Sequence, residues 1–190
     1  NYKMIGVSNT GLKKATPHWA STHIKHDLKL AIQDIAYDLM HLAIDTAHGA
    51  TWLDILPVHP KSVDANIVAA SPNMYDGSAG IALLLTQFGL TFNDAKAMRL
   101  AKEAIRFSIH HFEQKLKYEG RKSVRFSAFE GLLSSIYASV VFGEIAGNSN
   151  LNIRAEKLAM SLSASDFSNQ PADYTGGLAG CMVAILKIAS

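Results

Sequence analysis

From about Thr22 the apolar positions fall into helical step. Leu28, Ile32, Ile35, Leu39 and Leu42 follow at intervals of four, three, four and three, which places them on one helix face. Asp27, Lys29, Asp34 and Asp38 fall mostly on the other side, and Gly49 after His48 offers a left-handed stop. Residues 50–75 then carry Pro57, Pro60 and Pro72, which exclude regular helix. A connection of that length points to a functional rim or an interdomain surface. Beyond it, two kinds of helix alternate. Ala82 to Phe88 is apolar throughout. The next helix, from Asn93, turns Met98, Ala101, Ile105, Ile109, Phe112 and Leu116 inward. A second short apolar helix carries Ile136, Tyr137, Val140 and Val141. Its amphipathic partner runs from Leu151 through Ala155, Leu158 and Leu162, and a third apolar helix carries Met182, Ile185 and Leu186. No segment alternates convincingly with period two, so the expected fold is all-α. Residues 1–21, with Gly6, Asn9 and Gly11, read as a linker or frayed N-terminus, and residues 22–190 as the domain.

The apolar helices open alike. Asp76-Gly77-Ser78-Ala79-Gly80, Glu130-Gly131-Leu132-Leu133-Ser134 and Gly176-Gly177-Leu178-Ala179-Gly180 align without gaps, with second positions 54 and 46 residues apart. A helix apolar all round must be buried on all sides, while an amphipathic one sheathes it. Repeated hairpins of this kind predict an inner ring of parallel helices inside an outer ring. Glycine or serine three residues apart at each inner N-terminus lets backbones approach closely at one mouth, where exposed N–H groups and helix dipoles favour negative charge. An open solenoid is the alternative, although its helix pairs are usually both amphipathic.

Composition adds bounds. With 190 residues, 48% hydrophobic and 18% charged, the chain can bury a sizeable core. The net charge of +2 gives no reason to expect nucleic acid as a partner. Lys115, Lys117, Arg121, Lys122 and Arg125 cluster near Tyr118 and Phe126, and read as a solvated loop rather than a phosphate site. One cysteine, Cys181, allows no internal disulfide, and the absence of a secretory pattern or membrane-length apolar run makes the cytoplasm the expected compartment. The start at a non-Met residue and the stop inside an apolar pattern at Ile188-Ala189-Ser190 lead us to expect a longer parent.

Met74 to Leu83, containing Tyr75-Asp76-Gly77-Ser78-Ala79-Gly80, resembles the first glycine motif of the LanC-like cyclase family, and looks closest to the fused cyclase domain of class II lanthipeptide synthetases. Ala50-Thr51-Trp52-Leu53 resembles the segment preceding that motif. Phe129-Glu130-Gly131 with Ile136-Tyr137 resembles the second motif, and Asp173 to Cys181 the third. Ser134 departs mildly from the family's glycine. The resemblance implies an α/α toroid of about seven hairpins, of which this chain holds about three. It also implies a zinc-dependent reaction in the parent. There zinc lowers the pKa of a peptide cysteine, and the thiolate adds to dehydroalanine or dehydrobutyrine to close a lanthionine ring. The family's zinc ligands, two cysteines and a histidine, lie in later repeats. We therefore expect no metal or cofactor in this chain, and no activity from it alone.

Asp173 is the position that matches a family active-site residue, implying a role in orienting groups or assisting proton transfer; the bland reading is a carboxylate on the helix dipole. Asp76 reads as the cap of its helix, and Gly77, Gly80, Gly131, Gly176, Gly177 and Gly180 as structural motif positions. Cys181 reads as a small core residue. His110 and His111 point about 100° apart on a helix, so they do not pair on one metal, whereas His41 and His48 share a face of the first helix. The expected partner is a dehydrated precursor peptide, with a homodimer through exposed apolar flanks. A non-catalytic peptide- or partner-binding module is the competing function. A different toroid enzyme, such as a glycosidase with a carboxylate pair, fits the glycine motifs less well.

Overall fold

The computed structural model describes residues 22–59, 64–147, 149–168 and 170–189. The expected N-terminal linker, residues 1–21, lies outside them. The chain divides into two compact units, Asn1–Ile35 and Ala36–Ser190. The described part of the first is helical.

Among the described residues six helices dominate: α1 (Thr22–Leu42), α2 (Ser78–Phe92), α3 (Ala95–Tyr118), α4 (Leu132–Ala146), α5 (Ser149–Met160) and α6 (Leu178–Ala189). The fold is mainly helical, with the alternation expected of a partial toroid. Apolar α2 and α4 bury residues on several sides, among them Leu85 and Phe88 on α2, and Leu132, Leu133, Ile136 and Phe142 on α4. Amphipathic α3 packs on α2, on the strand Gly49–Thr51 and on α4, and buries Ala97, Leu100, Ala101, Ala104, Ile105, Ile109 and Phe112, while α5 packs on α4 and buries Leu151, Ala155 and Leu158. Full burial contributes about 1.5–3 kcal/mol for each side chain of leucine or isoleucine size. The α2–α3 corner needs only two residues. Asn93 takes the left-handed stop at φ 52°, and the Asp94 carboxylate accepts the Ala97 amide at 2.9 Å.

Two features differ from the sequence reading. Helix α1 stops at Leu42, before Gly49, and within the second unit it buries Ala36 and Met40 while Leu42 stays 67% exposed. The following stretch, expected to be helix as far as His48 and a connection without regular helix over residues 50–75, holds two antiparallel hairpins. The first pairs β1 (Ile44–Thr46) with β2 (Gly49–Thr51), and the second pairs β3 (Leu53–Pro57) with β4 (Ala65–Ala69). The first is set by local chemistry. Thr46 accepts the His48 amide at 3.2 Å and donates to the Gly49 carbonyl at 2.8 Å. Gly49 adopts φ +134° against α3, where an added Cβ would stand 2.2 Å from the Glu103 carbonyl oxygen. Trp52 is buried, and its indole N–H donates to the Leu39 carbonyl at 2.7 Å, satisfying an acceptor in the last turn of α1. The second hairpin hid from period-two reading because its cross-strand pair Ile55–Ile67 is exposed rather than buried. Pro57 sits at the strand end, where it does little harm.

Candidate functional site

The three glycine blocks form one repeated backbone device. Gly77, Gly131 and Gly177 are each the N-cap of their helix or immediately precede its first residue, and each lies against the carbonyl six residues upstream. A Cβ would stand 1.9 Å from the Ser71 oxygen, 2.4 Å from that of Arg125 and 2.1 Å from that of Pro171, respectively. The same carbonyls accept the amides of the next residues, Ser78, Leu132 and Leu178, at 2.8, 2.9 and 2.8 Å. Close approach, not left-handed backbone, is therefore why glycine stands there. Gly80 and Gly180 repeat the device on the carbonyls of Met74 and Tyr174, at 2.1 and 1.9 Å. Ser134, their counterpart, turns its hydroxyl onto the Gly131 carbonyl at 2.6 Å, fully buried.

The loops adjoin. The amides of Met74 and Tyr75 both donate to the Phe129 carbonyl, at 3.0 and 3.1 Å, tying the first loop to the second. The Phe129 and Tyr174 rings lie 5.4 Å apart, tying the second to the third. With α4 packed on both α2 and α6, the N-termini of the three apolar helices gather at one end. A cavity of about 250 Å³ lies there, lined by Met74, Leu83, Phe129, Tyr137, Tyr174 and Val183 among others. A second cleft of about 370 Å³, between the first two loops and α3, is polar and includes Asp76, His111, Lys115, Arg125 and Glu130.

Asp173 lies on the exposed rim beside Tyr174, and its Oδ1 accepts the Gly176 amide at 2.6 Å. Ser127, four residues before Gly131 as Asp173 is before Gly177, accepts the Glu130 amide at 2.9 Å in the same way. Asn73 holds the corresponding place in the first loop. The run Asn73, Ser127, Asp173 was a legible turn signal that sequence reasoning passed over. What sets Asp173 apart is charge and exposure, since Ser127 is fully buried.

Asp76 does not cap α2. Its carboxylate accepts the Ser71 hydroxyl at 2.5 Å, and the N-cap is Gly77 with no side-chain bond. The extended backbone at Gly77 carries the helix start away from Asp76, so the upstream carbonyl does the capping instead. Gly176 is looser than the others: its nearest neighbours would be the Asp173 carboxylate oxygens at 3.8 Å. Cys181 is buried, and its thiol donates to the Phe126 carbonyl at 2.9 Å. Burial foremost, and Asp173 in smaller part, hold that thiol above its ordinary pKa. His48 does not share a helix with His41, because α1 has ended; it stacks on His110 at 3.8 Å between ring centres. Burial, followed by His48, lowers the His110 pKa. Among the described residues, no three of His, Cys, Asp and Glu come together as a metal-binding group.

Residues 68–190 match the family described as lanthionine synthetase C-like protein. The chain belongs to that family. No curated protein matches it. Lanthionine synthetase C-like membership agrees with the helical alternation and with the placement of the three glycine loops, all of which fall inside the matched stretch. No described helix of this family member is long and apolar enough to cross a membrane.

Proposed function

We propose that this chain forms part of a cyclase that closes thioether rings in a dehydrated precursor peptide, adding a cysteine thiolate to dehydroalanine or dehydrobutyrine. The observation that carries the reading is the threefold glycine loop at adjoining ends of apolar helices, inside the stretch that matches the lanthionine synthetase C-like family. The gathered helix N-termini favour the anionic thiolate and enolate of such an addition. The apolar cavity beside Phe129 and Tyr174 suits peptide side chains. Asp173, exposed on the rim, orients the peptide or assists proton transfer.

The residues described here do not fit the family's zinc, because they assemble no ligand group and Cys181 is engaged with the Phe126 carbonyl. No step through the metal is assigned to this chain. In our reading, the zinc ligands belong to further repeats of a cytoplasmic class II parent, and the 190 residues alone are inactive. In the enzyme that carries this sequence, Asp173→Asn is expected to slow ring closure by about 100-fold, within the range for loss of a proton-transfer group. Mass spectrometry of thiol consumption reads this out, and undiminished cyclisation removes Asp173 from the chemistry.

One observation favours a second reading. The Asp173 carboxylate is already held by the Gly176 amide, as a purely structural turn residue would be. In that case the chain is a non-catalytic module that binds a peptide or partner. Retention of a dehydrated precursor in a pull-down, with no thiol consumption by the carrying enzyme, would select it.

A further inference from the structure

A groove of about 540 Å³ lies between the C-terminal turns of α3 and helix α5, lined by Glu113, Leu116, Lys117, Arg121, Arg154 and Lys157 among others. It gathers part of the basic cluster that reads in sequence as a solvated loop and adds two cations from α5. Both guanidinium groups are pinned. Glu113 binds Arg154 at Nε and Nη2, at 3.2 and 2.6 Å. Asp166 binds Arg121 at Nε, at 2.9 Å, and at Nη2, which also donates to the Ser161 carbonyl at 2.7 Å. A guanidinium carries five N–H donors, so each arginine keeps its Nη1 donors without a partner among the described residues. Lys117 and Lys157 are exposed and have no carboxylate partner among the described residues; the Lys117 ammonium lies 4.9 Å from the Tyr118 ring centre. Leu158 is buried, and Leu116 is partly buried against the core.

The groove therefore offers fixed donors, two uncompensated positive charges and apolar surface. Two free charges are few for a nucleic-acid backbone, whose binding grows with the number of phosphates neutralised. They suit a short peptide that alternates carboxylate and apolar side chains. The backbone from Arg121 leads directly to the second glycine loop at Gly131, where Arg125 and Glu130 line the polar cleft with Asp76.

We propose that this groove receives an acidic, amphipathic segment of the peptide substrate, with carboxylates on Lys117, Lys157 and the free edges of Arg121 and Arg154. The proposal rests on the peptide-modifying reading above. The probe is a fluorescein-labelled peptide alternating Glu and Leu, with its Gln–Leu counterpart and a thymidine oligonucleotide as controls, titrated by anisotropy into the 190-residue protein. Expected is saturable binding of the Glu peptide, lost on raising the salt and weakened about tenfold or more by K117E/K157E. Circular dichroism checks the fold of the variant, and K117Q alone serves if the double variant does not fold. Equal binding of the Gln peptide, tighter binding of the oligonucleotide, or unchanged affinity in the variant overturns the proposal.

In the enzyme that carries this sequence, the same reversal is expected to raise KM for an acidic peptide substrate and to leave kcat unchanged. An unmoved KM beside lost probe binding would mean that the groove serves another partner, and would overturn the substrate assignment. Probe binding without any cyclisation by that enzyme would sink the cyclase reading and leave the groove as a peptide site.

Discussion

An added methyl group on Gly177 would stand 2.1 Å from the carbonyl oxygen of Pro171, the same atom that accepts the Leu178 amide at 2.8 Å. The loop is held shut by a backbone bond that only a residue without Cβ permits. Gly177→Ala must push Pro171 away and is expected to cost about 1–3 kcal/mol, as other overpacking changes do. Gly176→Ala, whose nearest contacts would be at an ordinary 3.8 Å, is expected to stay within about 0.5 kcal/mol of wild type. Urea denaturation of the two variants side by side measures the contrast. Equal stabilities would mean that the close approach is not what selects glycine.

Asp166 carries a pH signature. The hydrogen-bonded Arg121 guanidinium is the largest influence on its carboxyl; burial, the next largest, opposes it, and the Ser163 backbone and hydroxyl help to leave the carboxyl at about 2. A carboxylate with a lowered folded-state pKa stabilises the fold above its unfolded value, about 3.9, and that contribution disappears as pH falls through about 2. The Arg121 side chain is 43% exposed, so solvent screening limits the contribution to about 1 kcal/mol or less. Asp166→Asn should thus be less stable than wild type at pH 6, with the difference shrinking between about pH 4 and 2. Chemical denaturation across that range tests it, and a pH-independent difference would point to lost packing instead.

Helix α6 presents an uncovered apolar side. Met182, Val183 and Leu186 are 64%, 48% and 68% exposed, whereas only Gly180, Cys181 and Ala184 are buried. Contiguous apolar surface of this kind favours association. We expect the 190-residue protein to dimerise through this flank, and Met182→Glu with Leu186→Lys to restore the monomer. Light scattering that finds a wild-type monomer at high concentration would refute it.

Much of this molecule was legible from its residues. Alternation of apolar and amphipathic helices follows from periodicity alone, because burial on all sides and burial on one side leave different spacings in the chain. The three glycine blocks were readable for the same reason: a position that tolerates no Cβ marks itself by its residue type. The hairpins between Ile44 and Ala69 were not readable in this way, since exposed Leu53, Ile55 and Ile67 break the inside-outside rule on which strand reading depends.

The sequence by itself determined which helices are buried and where each begins, because hydrophobic period and the absence of a side chain are local properties. Only the tertiary structure decided that Phe129 and Tyr174 close one cavity, that Ser71 rather than the α2 terminus takes the Asp76 carboxylate, and that Arg154 and Lys157 join Lys117 and Arg121, more than 30 residues earlier in the chain. Such meetings depend on how helices distant in the chain pack together. Packing is a collective outcome of the whole core, which the spacing of residues within a single helix does not specify.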